Sequence, residues 1–440
     1  VDYELSDSMT FLSITDYKTY EKQLFIDVDA APVNQLANYG AVDADSTTQE
    51  FRLVGSGDRS DWVAGFYYLN IDTDSFNALK AAPGSIFGSI ALPADVSTIA
   101  MLETDSYSFF GQYEYQLTDA VRVIGGLRLM REEKDFTGAW GIAPSAGNSE
   151  ITTDPSLFIP NASGAGDPFS FVGDLSENFW TGKLQLEYSP NDDLLLYGGI
   201  NRGVKAGSFN APLLGAYLGA GGNEGVPYDE EVLTSYEAGF KSTIAGGLAR
   251  LNGAAYYYDY ADYQAFLFVG VGGVSINQDA ETYGAELELQ ASPTDNLDLI
   301  LSASYVDAQI DNLPLRSGSP LPPRTVEPTY TPDFQAFAMA RYRFPLLGGT
   351  GAVQADVSYS DEFYYNLRNF DADQFDAYTI VNSLVSWTNS DESVILSLLL
   401  QNITDERAGI QGFNLSTLCG CNEVSYRAPR SWALQLRREF

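Results

Sequence analysis

The stretch Arg430–Phe440, which reads RSWALQLRREF, decides the fold. Its side chains alternate in character with the period of two that a β-strand imposes. One face carries Trp432, Leu434, Leu436, Arg438 and Phe440, and the other carries Ser431, Ala433, Gln435, Arg437 and Glu439. The stretch therefore predicts a strand with one apolar and one polar face, which suits either the wall of a membrane barrel or a half-buried edge of a soluble β-protein.

The composition favours strands along the whole chain. The 440 residues include 28 Tyr, 25 Phe and 40 Gly but only 4 Met, and no composition break divides them. Aromatic residues are typical of strands, and glycine is typical of turns. No apolar run approaches the ~20 residues that a membrane-spanning helix needs. We therefore predict one all-β architecture over residues 1–440.

Charge and residue usage exclude several function classes. The chain has 24 basic and 59 acidic residues, for a net charge of −35, which repels nucleic acid. It contains no His, so histidine catalysis and Ser-His-Asp triads are excluded. Carboxylates are numerous, but no spacing selects two of them for acid/base work. We predict neither an enzyme nor a cofactor, and no motif specifies a metal site.

Short turns alternate with long connections along the chain. We count sixteen strands and a remnant of one more at Tyr3–Leu5. We expect long connections through Asp43 and Asp45, from Asp72 to Glu103 and from Phe136 to Glu177. If Phe440 lies in the periplasm, every tight turn falls on that side, as is typical of outer-membrane barrels. The pattern predicts a transmembrane antiparallel β-barrel, with a soluble sandwich or solenoid as the alternative.

Six stretches then resemble, in order, the C-terminal part of TonB-dependent outer-membrane receptors. They are Leu196–Asn210 ending in NRGVKAGSFN, Ser235–Ser242 (SYEAGFKS), Leu251–Tyr260 (LNGAAYYYDY), Tyr283–Glu288 (YGAELE), Gln401–Glu406 (QNITDE) and Ala428–Arg430 (APR). Each stretch is weakly specific alone, but together they span most of the chain. The final strand also resembles the signal that such barrels present to the barrel-assembly machinery, carried by Trp432, Leu434, Leu436 and Phe440.

The resemblance implies a barrel of twenty-two strands in the outer membrane of a Gram-negative bacterium, among outer-membrane lipid and lipopolysaccharide. It implies an N-terminal plug, a segment that contacts the TonB complex, and energised uptake of a scarce ligand such as a ferric siderophore. This chain lacks the plug and roughly the first third of the strands. It begins at Val1 without an initiator Met or signal peptide, so we expect a fragment of a longer precursor or a chain completed by something else. A passive porin-like channel or a structural barrel is the alternative function.

Two groups of residues are candidate contacts for a small-molecule ligand. Arg202, Lys205 and Asn210 lie where a strand meets its loop and suit an anionic ligand, or else they balance an acidic lumen. Strand alternation puts Tyr256, Tyr258 and Tyr260 on one face, as a vestibule lining, and Tyr257 and Tyr263 on the other, as part of an aromatic girdle.

The only cysteines are Cys419 and Cys421. They are compatible with a strained small-ring disulfide, with pairing to cysteines elsewhere, or with free thiols, and we favour oxidised cysteines that brace an exposed loop. Two cysteines without histidine cannot complete a four-ligand zinc site.

Overall fold

The computed structural model describes residues 1–28, 36–81, 94–144, 151–159, 169–212, 224–269, 272–315, 322–416 and 420–439. The strands are β1 (Asp2–Ser6), β2 (Met9–Asp27), β3 (Leu36–Gly57), β4 (Ser60–Ala81), β5 (Ala94–Gln116), β6 (Val121–Pro144), β7 (Phe169–Asn191), β8 (Leu194–Lys205), β9 (Ser208–Phe209), β10 (Pro227–Tyr228), β11 (Glu231–Ile244), β12 (Ala249–Val269), β13 (Gly272–Thr294), β14 (Leu297–Leu313), β15 (Arg324–Val326), β16 (Phe334–Leu346), β17 (Gly349–Ser360), β18 (Phe363–Tyr364), β19 (Gln374–Phe375), β20 (Tyr378–Thr388), β21 (Val394–Gln401), β22 (Gly409–Leu415), β23 (Cys421–Tyr426) and β24 (Ser431–Arg438). Single turns of 3-10 helix occur at Pro155–Leu157, Ala245–Gly247 and Asp371–Asp373.

One antiparallel sheet of 18 strands forms the body of the molecule. Its strands pair in the order of the sequence, from β1 through β8, then β11 to β14, β16, β17, β20, β21 and β24, with the short β15 beside β14. Without the remnant β1 and the three-residue β15, the sheet contains the sixteen predicted strands, so the all-β antiparallel prediction is confirmed. Within the described part of the chain, β1 pairs only with β2 and β24 only with β21.

Tight turns lie at one end of the strands, which we call the turn side, and long connections lie at the other, the loop side. The turn between β16 and β17 consists of Leu347 and Gly348, with φ angles of 49° and 73°. Two successive residues with positive φ match the right-handed twist of a hairpin, and glycine adopts that conformation without strain. The predicted one-sided arrangement of short turns is therefore present.

The two faces of the sheet differ in chemistry, as β7 illustrates. Trp180, Leu184 and Leu186 leave 48%, 61% and 51% of their surface exposed on the face that we call outer. Lys183 and Glu187 belong to the opposite, inner face, where Gln185 Nε2 donates to Glu187 Oε1 at 2.8 Å. An exposed apolar face beside a polar inner face is the pattern of a barrel wall that meets lipid outside and water inside.

The strands extend further toward the loop side than the sequence pattern indicated. β3 includes Asp43 and Asp45, and strand residues occupy much of the two connections predicted over 72–103 and 136–177. Those three predictions were wrong for one physical reason. The loop-side ends of the strands are covered by protein on both faces, and two-sided burial removes the alternation from which a strand is recognised.

Two clusters cover the loop-side ends of β5 and β6. On the inner face, Ala100, Phe136 and Trp140 pack with Val226 from the connection between β8 and β11. On the outer face, Ile99, Ala139 and Ala143 pack with Phe158, which follows the 3-10 turn at 155–157. The loop-side half of the wall thus has a protein core on both sides.

A β-bulge in β12 changes which way the following side chains point. The pairing of β12 with β13 shifts between Tyr260 and Tyr263, and Asp262 has a φ of 58°. One extra residue reverses the alternation beyond that point. Tyr263 therefore joins Tyr260 on the inner face, with the two rings 5.5 Å apart, and the prediction that it shares a face with Tyr257 was wrong.

The final strand shows the predicted alternation directly. Trp432, Leu434 and Leu436 share the outer face and are 74%, 66% and 71% exposed, whereas Phe440 lies outside the described residues. In the described ranges, no helix has the length and apolarity to cross a membrane.

Candidate ligand-binding vestibule

The inner face of the sheet carries a network of polar side chains. Tyr197 donates its hydroxyl to Glu237 Oε1 at 2.9 Å, and Asn201 Nδ2 donates to Ser235 Oγ at 3.2 Å. An open groove of about 580 Å³ follows this wall and is lined by residues that include Tyr197, Lys241, Asn252, Glu286, Glu288 and Ser302. Hydrogen-bonded polar groups with open space in front of them can bind water, a polar ligand or another protein segment.

The predicted tyrosine group lies on the inner face as a set. Tyr256 and Tyr258 stack with ring centroids 4.7 Å apart and planes inclined by 24°. Tyr260 continues the row toward the loop side and meets Tyr263 edge to face. The bulge thus adds a fourth ring to the three that the sequence placed there, and their contact with a ligand stays a prediction.

The second predicted group does not converge on one surface. Arg202 pairs with Gly182 of β7, a register that puts its side chain on the outer face. Its guanidinium lies 4.3 Å from the centroid of the Trp180 ring and donates to the Trp180 carbonyl oxygen. Lys205 is three residues further along β8, so it belongs to the inner face and is exposed.

Asn210 has a third environment. It is 7% exposed, and its Nδ2 donates to the carbonyls of Gly225 at 3.1 Å and Ser275 at 2.9 Å. Its Oδ1 accepts from the Ser275 backbone amide at 2.7 Å. All of these bonds tie the connection after β9 to β13, so Asn210 has a bracing geometry here. Ligand binding by Arg202, Lys205 and Asn210 remains an untested prediction.

A cavity of about 390 Å³ opens at the loop side and is lined mainly by apolar atoms. We call it the vestibule. Its aromatic lining comes from Phe266 and Phe268 near the tip of the β12–β13 hairpin and from Phe413 of β22, with the rings of Phe268 and Phe413 6.1 Å apart. Further lining residues come from β2, β3, β4, β23 and the segment after β9, namely Ile26, Asp27, Val28, Asn38, Asn77, Leu79, Ala211, Pro212, Gly272, Gly273, Leu415 and Glu423.

The charge at the vestibule is negative. Asp27 and Glu423 are the charged residues among its described lining, and both are acidic. Further along the loop side, Glu327 and Asp333 have pKa values raised by burial and then by neighbouring carboxylates. Mutual repulsion of this kind marks a region of negative potential, which favours neutral or cationic molecules over anions.

A buried carboxylate connects two segments beside the vestibule. Asp373 is fully buried, and its Oδ1 accepts from Asn414 Nδ2 at 2.6 Å and from Asn422 Nδ2 at 3.4 Å. Asn422 Nδ2 also donates to the hydroxyl of Tyr365 at 2.8 Å. These bonds join the connection between β17 and β20 to the β22–β23 hairpin, and we call this group the latch.

Burial controls the protonation of the latch. It raises the pKa of Asp373 above its ordinary value, although the amides and Arg368 act in the opposite direction. Burial, with the nearby Asp373 carboxylate, also raises the pKa of Tyr365 to about 12. Among the described side chains, Asp373 Oδ2 and Arg368 Nη2 are buried without a hydrogen-bond partner. The latch therefore combines specific hydrogen bonds with an incompletely neutralised buried charge.

Sequence reasoning missed the vestibule rings and the latch. Asp373 and Asn414 are 41 residues apart, so only the folded loop side brings them together. The one usable signal is the recurrence of amides in the long connections, at Asn366, Asn369, Asn414 and Asn422. Cys421 begins β23 with an exposed side chain and Cys419 lies outside the described residues, so their pairing stays a prediction. In the described ranges, no group of three metal-ligating side chains is placed to hold a metal ion.

A family model described as TonB dependent receptor-like, beta-barrel, matches residues 1–403. Solved structures match almost the whole chain. The ferric yersiniabactin uptake receptor FyuA from Yersinia pestis superposes with a TM-score of 0.75 at 17% identity, covering 100% of this chain and 60% of that one. The ferric-catecholate import receptor Fiu from Escherichia coli K12, in its closed form, gives 0.68 at 14%, with coverages of 100% and 63%. The siderophore receptor PiuA from Acinetobacter baumannii gives 0.67 at 14%, with 99% and 63%.

At these identities the likeness shows a shared fold, and the chain spans about three fifths of the length of each receptor. The matched proteins are barrels with an exposed apolar outer face, which agrees with the wall described above.

Proposed function

The chain belongs to the TonB-dependent receptor family, and from that premise we propose that it forms the barrel of a Gram-negative outer-membrane importer for a scarce nutrient complex such as a ferric siderophore. The family consists of receptors and transporters rather than enzymes. We further propose that the loop side faces the cell exterior, in agreement with the usual arrangement of long loops in such barrels. A plug and a segment that contacts the TonB complex belong to this proposal.

The vestibule is the observation that carries the proposal. Its volume of about 390 Å³ suits a small molecule, and its aromatic lining with a few polar groups is typical of ligand sites. It lies where a ligand from outside would arrive first. The polar inner face behind it provides a wettable wall for the path through the barrel.

The charge of the vestibule supports one class of ligand over another. Asp27 and Glu423 contribute negative potential, and the chain as a whole carries a net charge of −35. Bringing a polyanionic ferric catecholate into this field costs electrostatic energy, whereas a neutral or cationic complex avoids that cost. We therefore propose neutral or cationic ferric complexes, such as those of trihydroxamates, as ligands.

Uptake of iron-55 by whole cells tests the proposal. The full-length protein is expressed in a host that lacks its own siderophore receptors, with and without TonB. Cells are given the neutral ferric trihydroxamate or an anionic ferric tris-catecholate. We expect TonB-dependent uptake of the neutral complex. Uptake that persists without TonB would instead indicate a passive channel, and no uptake of either complex would reject the siderophore assignment.

Two variants connect the uptake to the vestibule. Phe268→Ala removes a vestibule ring, and we expect it to reduce uptake at limiting concentration by roughly tenfold, since an aromatic contact in a desolvated site commonly contributes that much. Phe109→Ala is the matched control, because Phe109 is 67% exposed on the outer face. Equal uptake by the two variants would remove the vestibule from the transport path.

A further inference from the structure

A row of tyrosines follows the outer face near the loop side, and each one donates its hydroxyl to a carboxylate. The pairs are Tyr17 with Asp45 at 3.1 Å, Tyr68 with Asp105 at 2.8 Å, Tyr257 with Glu281 at 3.1 Å, Tyr283 with Asp307 at 2.6 Å and Tyr359 with Asp361 at 2.6 Å. Aromatic rings below acidic groups mark the level at which an apolar surface gives way to a polar one. We call this row the tyrosine belt.

The belt changes character on β6, β7 and β8. On β6, Arg131 takes the position opposite Tyr107 of the neighbouring strand β5. On β7 the ring is Trp180, which pairs with Leu129, and on β8 the outer side chain is Arg202. Two cations therefore flank an indole where the rest of the belt presents tyrosines and carboxylates.

Both arginines keep part of their surface in contact with solvent. Arg202 is held by the Trp180 ring and the Trp180 carbonyl, and among the described residues it makes no ion pair. The Arg131 side chain is 50% exposed and donates through Nε to Glu133 at 2.8 Å and through Nη2 to Ser176 Oγ at 2.9 Å. Guanidinium groups held in this way still have N–H donors for a further acceptor.

The surface toward the turn side of the arginines is apolar. Leu127, Leu129, Leu184 and Ile200 are 52%, 54%, 61% and 49% exposed on the outer faces of the same three strands. A charge placed among acyl chains is costly, so these guanidinium groups are favourable only at headgroup depth. Their position at the end of the leucine surface satisfies that condition.

We propose that Arg131, Trp180 and Arg202 bind the phosphorylated headgroup of an outer-leaflet lipid of the lipopolysaccharide class, whose acyl chains lie on the leucine surface. The inference rests on the proposed outer-membrane location. Guanidinium and phosphate form strong charge-assisted hydrogen bonds, frequently two at once. The carboxylates of the tyrosine belt repel phosphate on the neighbouring strands, which directs such a lipid to β6–β8. The adjoining apolar surface favours a lipid over free phosphate.

The test uses the full-length protein purified in a mild non-ionic detergent and titrated with bisphosphorylated lipid A, with native mass spectrometry as the readout. We expect the R131Q/R202Q double variant to bind roughly tenfold more weakly, as the loss of two charge-assisted contacts implies. Lys205→Gln is the matched control, because it removes one positive charge from the inner face of β8, and we expect its affinity to equal that of the wild type. Dephosphorylated lipid A should bind the wild type as weakly as the phosphorylated lipid binds the double variant.

Several outcomes overturn the site. Equal affinity of the double variant and the wild type does so, as does an equal loss in Lys205→Gln. Full competition by inorganic phosphate at the same concentration as the lipid would also reject a lipid occupant. Iron uptake by the double variant shows that it has folded. If neither iron complex is transported but the lipid affinity falls as expected, the lipid site stands and the proposed import function fails.

Discussion

Two halves of the same strands obey different rules. Toward the turn side of β6, Leu127 and Leu129 are exposed on the outer face while their neighbours Arg128 and Met130 turn inward. Toward the loop side of β6, six of the eight residues from 136 to 143 are buried. One covalent strand thus passes from a wall with a bare outer face to a core covered on both faces.

The difference shows where the stability of each half arises. In the covered half, side chains pack against protein, so their loss leaves cavities. In the bare half, the outer side chains have no protein neighbours above them, and the proposed lipid would take that place. The same kind of substitution should therefore have different costs in the two halves.

The largest effect is expected from a core ring in the covered half. Trp140 is 3% exposed, stacks on Phe169 at 4.9 Å and donates through Nε1 to the Pro212 carbonyl at 2.9 Å. Trp140→Ala should reduce the free energy of opening of the loop-side strand ends by about 3–5 kcal/mol, measured by hydrogen exchange. Leu129→Ala on the bare half is the control and should cost clearly less. Equal costs would break the distinction between the halves.

A charge placed on the bare half tests which face meets lipid. Leu184→Arg should destabilise the barrel by about 2–4 kcal/mol in urea unfolding from lipid vesicles, because the arginine enters the apolar layer. Gln185→Arg, one residue along on the inner face, should stay within about 0.5 kcal/mol of the parent protein. If the two variants reversed their order, the assignment of the faces would be inverted.

The latch extends the covered half to the long connections and predicts a dependence on pH. Because burial raises the pKa of Asp373 above its unfolded value, its contribution is most favourable at low pH and is lost as pH rises through the raised pKa. Opening of the segment around the latch should therefore become easier from below pH 4 upward, as measured by hydrogen exchange. Asp373→Asn should flatten this dependence.

A turn-side carboxylate supplies the control with the opposite sign. Hydrogen bonds from Ser393 lower the pKa of Asp391, so its contribution is present at neutral pH and is lost as pH falls. Asp391→Asn should leave the pH profile of the latch unchanged. If Asp373→Asn and Asp391→Asn altered that profile alike, the buried carboxylate would not be its source.

The smallest effect is expected at the boundary of the two halves. Tyr283 donates its hydroxyl to Asp307 on the outer face, so Tyr283→Phe should cost about 0.5–1.5 kcal/mol of unfolding free energy. Tyr305→Phe is the matched control, since Tyr305 is exposed on the same face and its hydroxyl makes no hydrogen bond to any described residue. A cost at Tyr305 equal to that at Tyr283 would show that the hydroxyl bond is not what matters.

The bare half of the fold was predictable from sequence, and the covered half was not. Period-two alternation locates β7 and β24 because one face of each is apolar and the other is polar. At the loop-side end of β5, Ser97, Thr98 and Ile99 are all buried, so no alternation remains to be detected. The strand ends were therefore taken for loops.

The candidate site divides in the same way. Parity alone placed Tyr256, Tyr258 and Tyr260 together, and it failed for Tyr263 because a bulge has no reliable sequence signal. Parity also assigns Arg202 and Lys205 to opposite faces, since they are three residues apart, so their proposed grouping overlooked a rule already in use. The vestibule and the latch depend on contacts between distant segments, which local patterns do not encode.

The pairing of each strand with its neighbours in sequence has a kinetic consequence. A connection such as 389–393 between β20 and β21 closes a loop of only a few residues, an event of about 10–100 ns for loops of roughly ten residues. No strand has to wait for a partner made much later in the chain, so contact order stays low for a sheet of this size. The wall can therefore grow one hairpin at a time from β24, with a single advancing edge to protect until the next hairpin arrives.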